Sequence, residues 1–280
     1  DCHFGSADSG QFVNHRIMAA GHPRIAFELD LFSTLQQHHN EDADYAARKG
    51  RSDNVKLWAV GQAMALKRSL DLYTNPARGT EGVFPEFYFF DCHSCHRRIY
   101  DQAEAVKTGV SNPGRPIPEG MPPYNDENII MLSAAARVVA PGSAAQFESA
   151  SRNFHAALAQ DRGSAIAAAR KLSGAAESLA SAFSSGSFGN GEAFTIIDTI
   201  SSEAISARFT DYEGSVQAVM AVDTLLNALV KSGAVTIGSA AGIRANVNRA
   251  YDAVRDPNAY RPQDFRNSLG AAARAIRSLR

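Results

Sequence analysis

Asp91-Cys92-His93-Ser94-Cys95-His96 sets two thiols three residues apart, with an imidazole directly after the second. This is the spacing that fastens a c-type haem. Each cysteine sulfur bonds one former vinyl group of the porphyrin, and the adjacent histidine is delivered beneath the ring as proximal ligand of the iron. Cys92, Cys95 and His96 take those roles. The competing chemistries are a redox-active dithiol, half of a zinc site and a chance spacing. A thioredoxin-like dithiol opens a helix inside a βαβ pattern, which this chain lacks, and tetrahedral zinc needs two further ligands in a second cluster. Only Cys2 is left to supply one, far away in sequence. His93, between the thiols, reads as a solvated spacer.

Asp1-Cys2-His3 fits the second half of another such motif, whose first cysteine would precede Asp1 by two residues. Cys2 and His3 are therefore expected to hold a further haem in a chain that continues upstream. A haem held by one thioether and a plain cysteine-histidine pair are the alternatives. Seven of the eight histidines lie before residue 100, a bias that solvation does not explain and iron ligation does. His15 and His22 fall in a Gly-, Ser- and Asn-rich stretch over residues 4–24 that reads as a loop wrapping a cofactor. His22, between Gly21 and Pro23, sits on extended or turned backbone that holds its ring away from a helix surface.

The elements that must position these groups are helical. Phe27, Leu31 and Leu35 recur four apart, which predicts a helix over residues 25–39 ending at His38 and His39, with His39 a candidate distal ligand. Residues 40–53 are highly charged and read as an exposed connection, in which Asp44, Arg48, Lys49 and Arg51 hold haem propionates or pair with one another. Residues 54–73 form the main amphipathic helix of this half, stopped by Asn75-Pro76, with Trp58 and Met64 expected in the core. Phe87-Tyr88-Phe89-Phe90 leads into the attachment motif as an aromatic wall, and residues 97–107 read as a short helix behind it. Five prolines over residues 111–124 make an irregular loop. Arg115, in that loop, is expected to be exposed, with a propionate as its other possible partner. Residues 126–139 then read as helix, capped by Asn125 or Asp126 and terminated by Pro141-Gly142.

From Ser143 onward alanine and serine dominate and apolar positions return at helical spacing, broken at residues 184–191 and 231–238. The fold class is therefore mainly α. A haem-binding part over residues 1–124, with little regular structure beyond a few helices, is followed by an α-helical bundle over residues 125–280. The bundle offers no convergent acid, base or nucleophile set in sequence, and His155 reads as a surface or satisfied bundle histidine.

At 280 residues and a formal net charge of −1, the chain gives no reason to expect nucleic acid as a partner. Its apolar runs are broken by charge well before the roughly 20 residues of a membrane-spanning helix. The three cysteines all lie in or beside haem motifs, which leaves none for a disulfide framework. Haem attachment implies export, so a periplasmic or extracellular location is expected, with any export signal removed or lying outside the sequence that starts at Asp1.

Residues 1–140 resemble the periplasmic or extracellular multihaem c-type cytochromes related to the cytochrome c554 group. The likeness is carried by residues 14–30, which include Gly21-His22-Pro23-Arg24, by residues 42–50, and by Phe89-Phe90 leading into Cys92, Cys95 and His96. The resemblance implies two or more haems c, each iron carrying two histidines, and electrons passing along stacked haems. It casts His3 and His96 as proximal ligands and His15 and His22 as distal ones, with His39 next in line.

An iron with two histidines has no vacant position, so it exchanges electrons rather than binding a substrate. The expected function is electron transfer, with redox proteins, other cytochrome subunits or copies of the chain as partners. The alternatives are a catalytic multihaem oxidoreductase with one open iron, acting on a small nitrogen or sulfur compound, and an assembly subunit of a larger complex.

Overall fold

The computed structural model describes residues 4–79, 85–96, 115–116, 121–204 and 211–280. Three short helices, α1 (His15–Ala19), α2 (Leu29–Leu35) and α3 (Ala43–Lys49), precede the long α4 (Asn54–Thr74). The first three residues of the attachment motif, Cys92–Ser94, form one 3-10 turn. Then follow α5 (Glu127–Val139), α6 (Pro141–Leu158), α7 (Arg162–Ser185), α8 (Asn190–Ala204), α9 (Tyr212–Lys231), α10 (Ile237–Ala253) and α11 (Pro262–Arg277). Among the described residues there is no β-strand, only an isolated bridge between Phe90 and Tyr124. The mainly α class expected from the hydrophobic spacing is what the chain adopts.

Short polar side chains set the helix starts. Asp42, Asp53, Asp161, Asp211 and Thr236 each accept a backbone N–H from the first turn of the helix they precede. Glu28 does the same for α2 and thereby shortens it: the helix opens at Leu29, not Ile25, and closes at Leu35, leaving His38 and His39 beyond its end. The charged connection at residues 40–53 contains α3. Pro141 opens α6 instead of only terminating α5, because the ring lacks the N–H that a first helical residue has no use for.

The core is centred on α9, which touches α2, α4, α5, α8, α10 and α11 and buries residues along most of its length. α5 is buried from Glu127 through Ala136, as a helix surrounded by others must be. α4 lies along α7, whose Ala165, Ala169, Ala176 and Ala180 permit a close approach. Trp58 is fully buried in this layer, whereas Met64, expected beside it, is about half exposed. Gly61 lets α2 approach α4, since a Cβ there would stand 2.7 Å from the Leu29 Cβ. Several buried amides in this interior pair with one another. Asn128 donates to Gln62 at 2.7 Å, Gln62 to Gln217 at 3.2 Å, and Gln217 to the Phe27 carbonyl at 3.1 Å, so one amide relay joins α5, α4, α9 and the chain before α2.

Tyr73, Phe89, Tyr124 and Phe154 meet edge to face, with centroids 4.9–5.9 Å apart among the contacting pairs. This cluster is where the segment leading to the motif is gripped by α4 and α6. Phe154 is fully buried within it. Phe154→Ala is expected to cost about 3–5 kcal/mol, read as a lower denaturant midpoint at unchanged slope; a loss under about 1 kcal/mol would show that the cluster does not hold the two parts together.

Candidate haem-attachment site

The attachment turn is built from the backbone outward. Asp91 N–H donates to the Pro123 carbonyl and Asn125 N–H to the Phe89 carbonyl, so the strip before the motif is tied to the segment entering α5. The Asp91 carboxylate then acts in two directions. Oδ1 accepts the Ser94 N–H at 2.9 Å, closing the turn, while Oδ2 accepts the Tyr212 and Glu213 N–H groups at 2.8 and 3.2 Å, which are at the start of α9. Cys95 and His96 N–H groups both donate to the Cys92 carbonyl. Within this turn Cys92 is half-buried, and Cys95 and His96 are exposed. Both thiols are free.

The turn brings the His96 imidazole near that of His15, at the start of α1. The His15 and His96 ring centres stand 6.2 Å apart with planes inclined at 46°. Two metal–imidazole bonds of about 2 Å each and the roughly 1 Å from each ring centre to its nitrogen make about 6 Å. His15 is held in place by Glu86, whose Oε1 accepts the His15 N–H at 2.8 Å while Oε2 accepts the Tyr88 N–H at 2.6 Å. Phe87 stands edge-on to the His15 ring at 5.3 Å and is 52% exposed; Val13 and Ile17, two residues either side of His15, are each 37% exposed. Apolar side chains left open around a half-buried and an exposed imidazole suit the edge of a large flat apolar group.

The other sequence-derived ligands fall elsewhere. His22 follows Gly21, whose φ of +96° turns the chain out of α1, and its ring is exposed. His39 is exposed and stacks on Tyr45 of α3 at 4.8 Å. Neither is in ring contact with the His15–His96 pair among the described residues. Cys2 and His3 lie outside the described residues, as do residues 97–107. His93 is no free spacer: its Nδ1 donates to the Pro257 carbonyl at 2.6 Å and its ring stands edge-on to Tyr260 at 5.1 Å. Asp44 and Arg48 pair with each other at 2.6 Å.

Behind the turn lies a buried charge cluster that no sequence spacing announced. Arg24 of the Gly-His-Pro-Arg segment reaches inward, pairing with Glu213 at 2.5 Å, donating to the Tyr88 carbonyl at 2.6 Å and lying over the Tyr88 ring at 4.9 Å. Glu127 faces the same guanidinium. Arg115, expected to be exposed, is buried between Asp126 and Asp211. His155, expected at the surface or satisfied within the bundle, is buried; its Nδ1 donates to the Ser151 carbonyl at 2.9 Å, while Nε2 stands 3.3 Å from Asp126 without a hydrogen bond. The bundle thus does converge on acidic groups. Their signal in sequence was only a set of isolated carboxylates at helix starts.

Burial dominates the electrostatics here. It raises the Cys92 thiol far above its usual value, and the Glu213 carboxylate adds to the effect. A sulfur held neutral is a poor thiolate nucleophile or zinc ligand and is at no disadvantage as a thioether. Burial, with the negative charges of Asp211 and Glu213, pushes the Asp91 carboxyl up to about 7. Glu127 is pushed up to about 7 by burial, held back by Arg24 and raised further by Glu213. Among the described residues no three His, Cys, Asp or Glu side chains converge as a metal-ligating cluster; a porphyrin iron needs only two protein donors, one on each face. No protein-family model, curated protein or solved structure matches this chain.

Asp91 and Glu127 bind a proton more tightly folded than unfolded. Their contribution to stability is complete below the ordinary carboxylate range of about 4 and is lost as pH rises through about 7. Thermal unfolding is therefore expected at higher temperature at pH 5 than at pH 8. Arg24→Ala leaves two buried carboxylates facing no cation, and should cost about 3–5 kcal/mol, with the larger loss at pH 8. An equal loss at both pH values would show that the guanidinium does not hold Glu127 ionised.

Proposed function

We propose that this protein is an exported c-type cytochrome that transfers electrons, as a periplasmic or extracellular carrier or as a subunit of a multihaem assembly. The observation that carries the proposal is the 6.2 Å separation of His15 and His96 beside two free cysteines at the haem-attachment spacing. The resemblance of residues 1–140 to multihaem cytochromes related to the cytochrome c554 group, carried in part by these same residues, points the same way.

A haem bound here supplies a one-electron iron couple. Cys92 and Cys95 would hold it covalently through their sulfurs, and His96 and His15 would ligate its iron. Glu86 fixes the His15 backbone and Asp91 the turn that presents His96, so both ligands are held by buried carboxylates on backbone N–H groups. Phe87, Val13 and Ile17 would offer apolar contact to it. With His15 and His96 both ligating the iron, electron exchange would be the chemistry left. His22, His39 and the Cys2-His3 pair are assigned to further haems of the same protein or of its redox partners.

The exported protein is expected to show a pyridine haemochrome spectrum and an intact mass exceeding the polypeptide by a whole number of haems; a bare polypeptide mass would end the proposal. His15→Ala should keep the covalent haem and convert this iron from low to high spin, with cyanide binding gained. Cyanide binding by the unaltered protein at this iron would favour instead a catalyst acting on a small nitrogen or sulfur compound.

A further inference from the structure

Five carboxyl groups, Asp91, Asp126, Glu127, Asp211 and Glu213, share one buried region with two guanidinium groups, Arg24 and Arg115. Carboxylates outnumber cations in a place where water cannot screen the excess, and a buried carboxylate without a cation takes a proton instead of remaining charged. Glu127 is where the excess is least answered. Its Oε1 accepts a bond from the Asn125 amide at 3.3 Å, but Oε2 is buried without a hydrogen-bond partner. From the chain before α2 it faces Arg24, from the aromatic strip Tyr88, and from α9 Glu213 and the Gln217 amide. On its own element Asp126 is engaged with Arg115 and His155, and beyond Arg115 stand Asp211 and Asp91.

This region borders the attachment turn. Glu213 joins the two, facing Arg24 and Glu127 on one side and the Cys92 sulfur on the other. We propose that Glu127 is a proton acceptor coupled to the redox state of the haem anchored at Cys92, so that the protein takes up one proton from water for each electron it receives there. The proposal rests on the haem assignment above. An external one-electron donor supplies the electron, the Glu127 carboxylate becomes a carboxylic acid, and the net charge of the buried region with its haem is unchanged. The driving force is Coulombic: an added negative charge in a low-dielectric setting raises the proton affinity of the nearest unsatisfied carboxylate. The ordinary position of Glu127, close to neutral pH through burial, places the exchange in the range where it operates.

The test is a potentiometric titration of the haem-loaded protein between pH 5 and pH 9, with reduced-minus-oxidised infrared difference spectra. The midpoint potential is expected to fall with rising pH near neutrality, approaching tenfold in the reduction equilibrium per pH unit, or about 59 mV for a one-electron couple. A carboxylic C=O band should appear on reduction and shift in deuterated water. In Glu127→Gln the slope near neutrality and that band should both be lost while the haem spectrum is unchanged. A pH-independent potential with no carboxyl band overturns the proposal and leaves the haem assignment standing, as does a Glu127→Gln protein with the full slope. Absence of any haem spectrum overturns both. Where Glu127→Gln does not fold, Glu127→Asp decides: a carboxyl band displaced in frequency identifies the group, and an unmoved band overturns the proposal.

Discussion

Asp91 gathers three backbone N–H groups on one carboxyl, Ser94 from the attachment turn and Tyr212 and Glu213 from the start of α9. Everything proposed for the site depends on that junction. A turn carrying two cysteines and a histidine has little regular structure of its own, and a ligand on a wandering loop could not hold an iron at one geometry. Seating the turn on the N-terminus of the most buried helix of the bundle removes that freedom. The helix-end N–H groups gain an acceptor, and the carboxyl gains three donors in place of water.

The same junction explains why so much charge is buried there. Desolvating a carboxylate is costly, and each one in this region is matched to backbone donors, to a guanidinium or to a proton. Arg24 and Arg115 divide the work by position: Arg24 ties the segment carrying His22 to α9, and Arg115 ties the proline-rich loop to the starts of α5 and α9. The cations are therefore fasteners for irregular chain, drawn toward a bundle that supplies the negative partners. The proposed role of the helical half follows from this. It would not need to touch a haem iron to influence it, because it would set the charge and the stiffness of the ground beneath the haem.

On the exposed side the logic reverses. His15, His96 and Phe87 stand toward solvent, with apolar area left open around them. A haem there would be shielded on the bundle side and presented on the other, the arrangement that lets electrons reach a partner over a short distance while the protein controls the potential from behind.

How much of this was legible in the chain can be judged residue by residue. The helices of the second half were, because alanine-rich segments with apolar residues three and four apart have few other ways to bury them. Their breaks at 184–191 and 231–238 were marked by glycine and serine, and the attachment spacing of Cys92, Cys95 and His96 is a property of sequence alone. The limits of α2 and the start at Pro141 were not, since Glu28 and a single ring decide them locally. The partnership of His15 with His96 was also hidden. Eight histidines allow many pairings, and spacing along a chain carries no information about separation across an irregular loop. Arg115 illustrates the remainder: it was expected to be exposed, and only the approach of the starts of α5 and α9, carrying Asp126 and Asp211, enclosed it. Short-range chemistry, the caps, periods and motif, is thus written in the order of residues. Which charges lose their water, and which imidazoles meet, is decided by long-range packing, because burial is a property of what arrives from elsewhere in the chain.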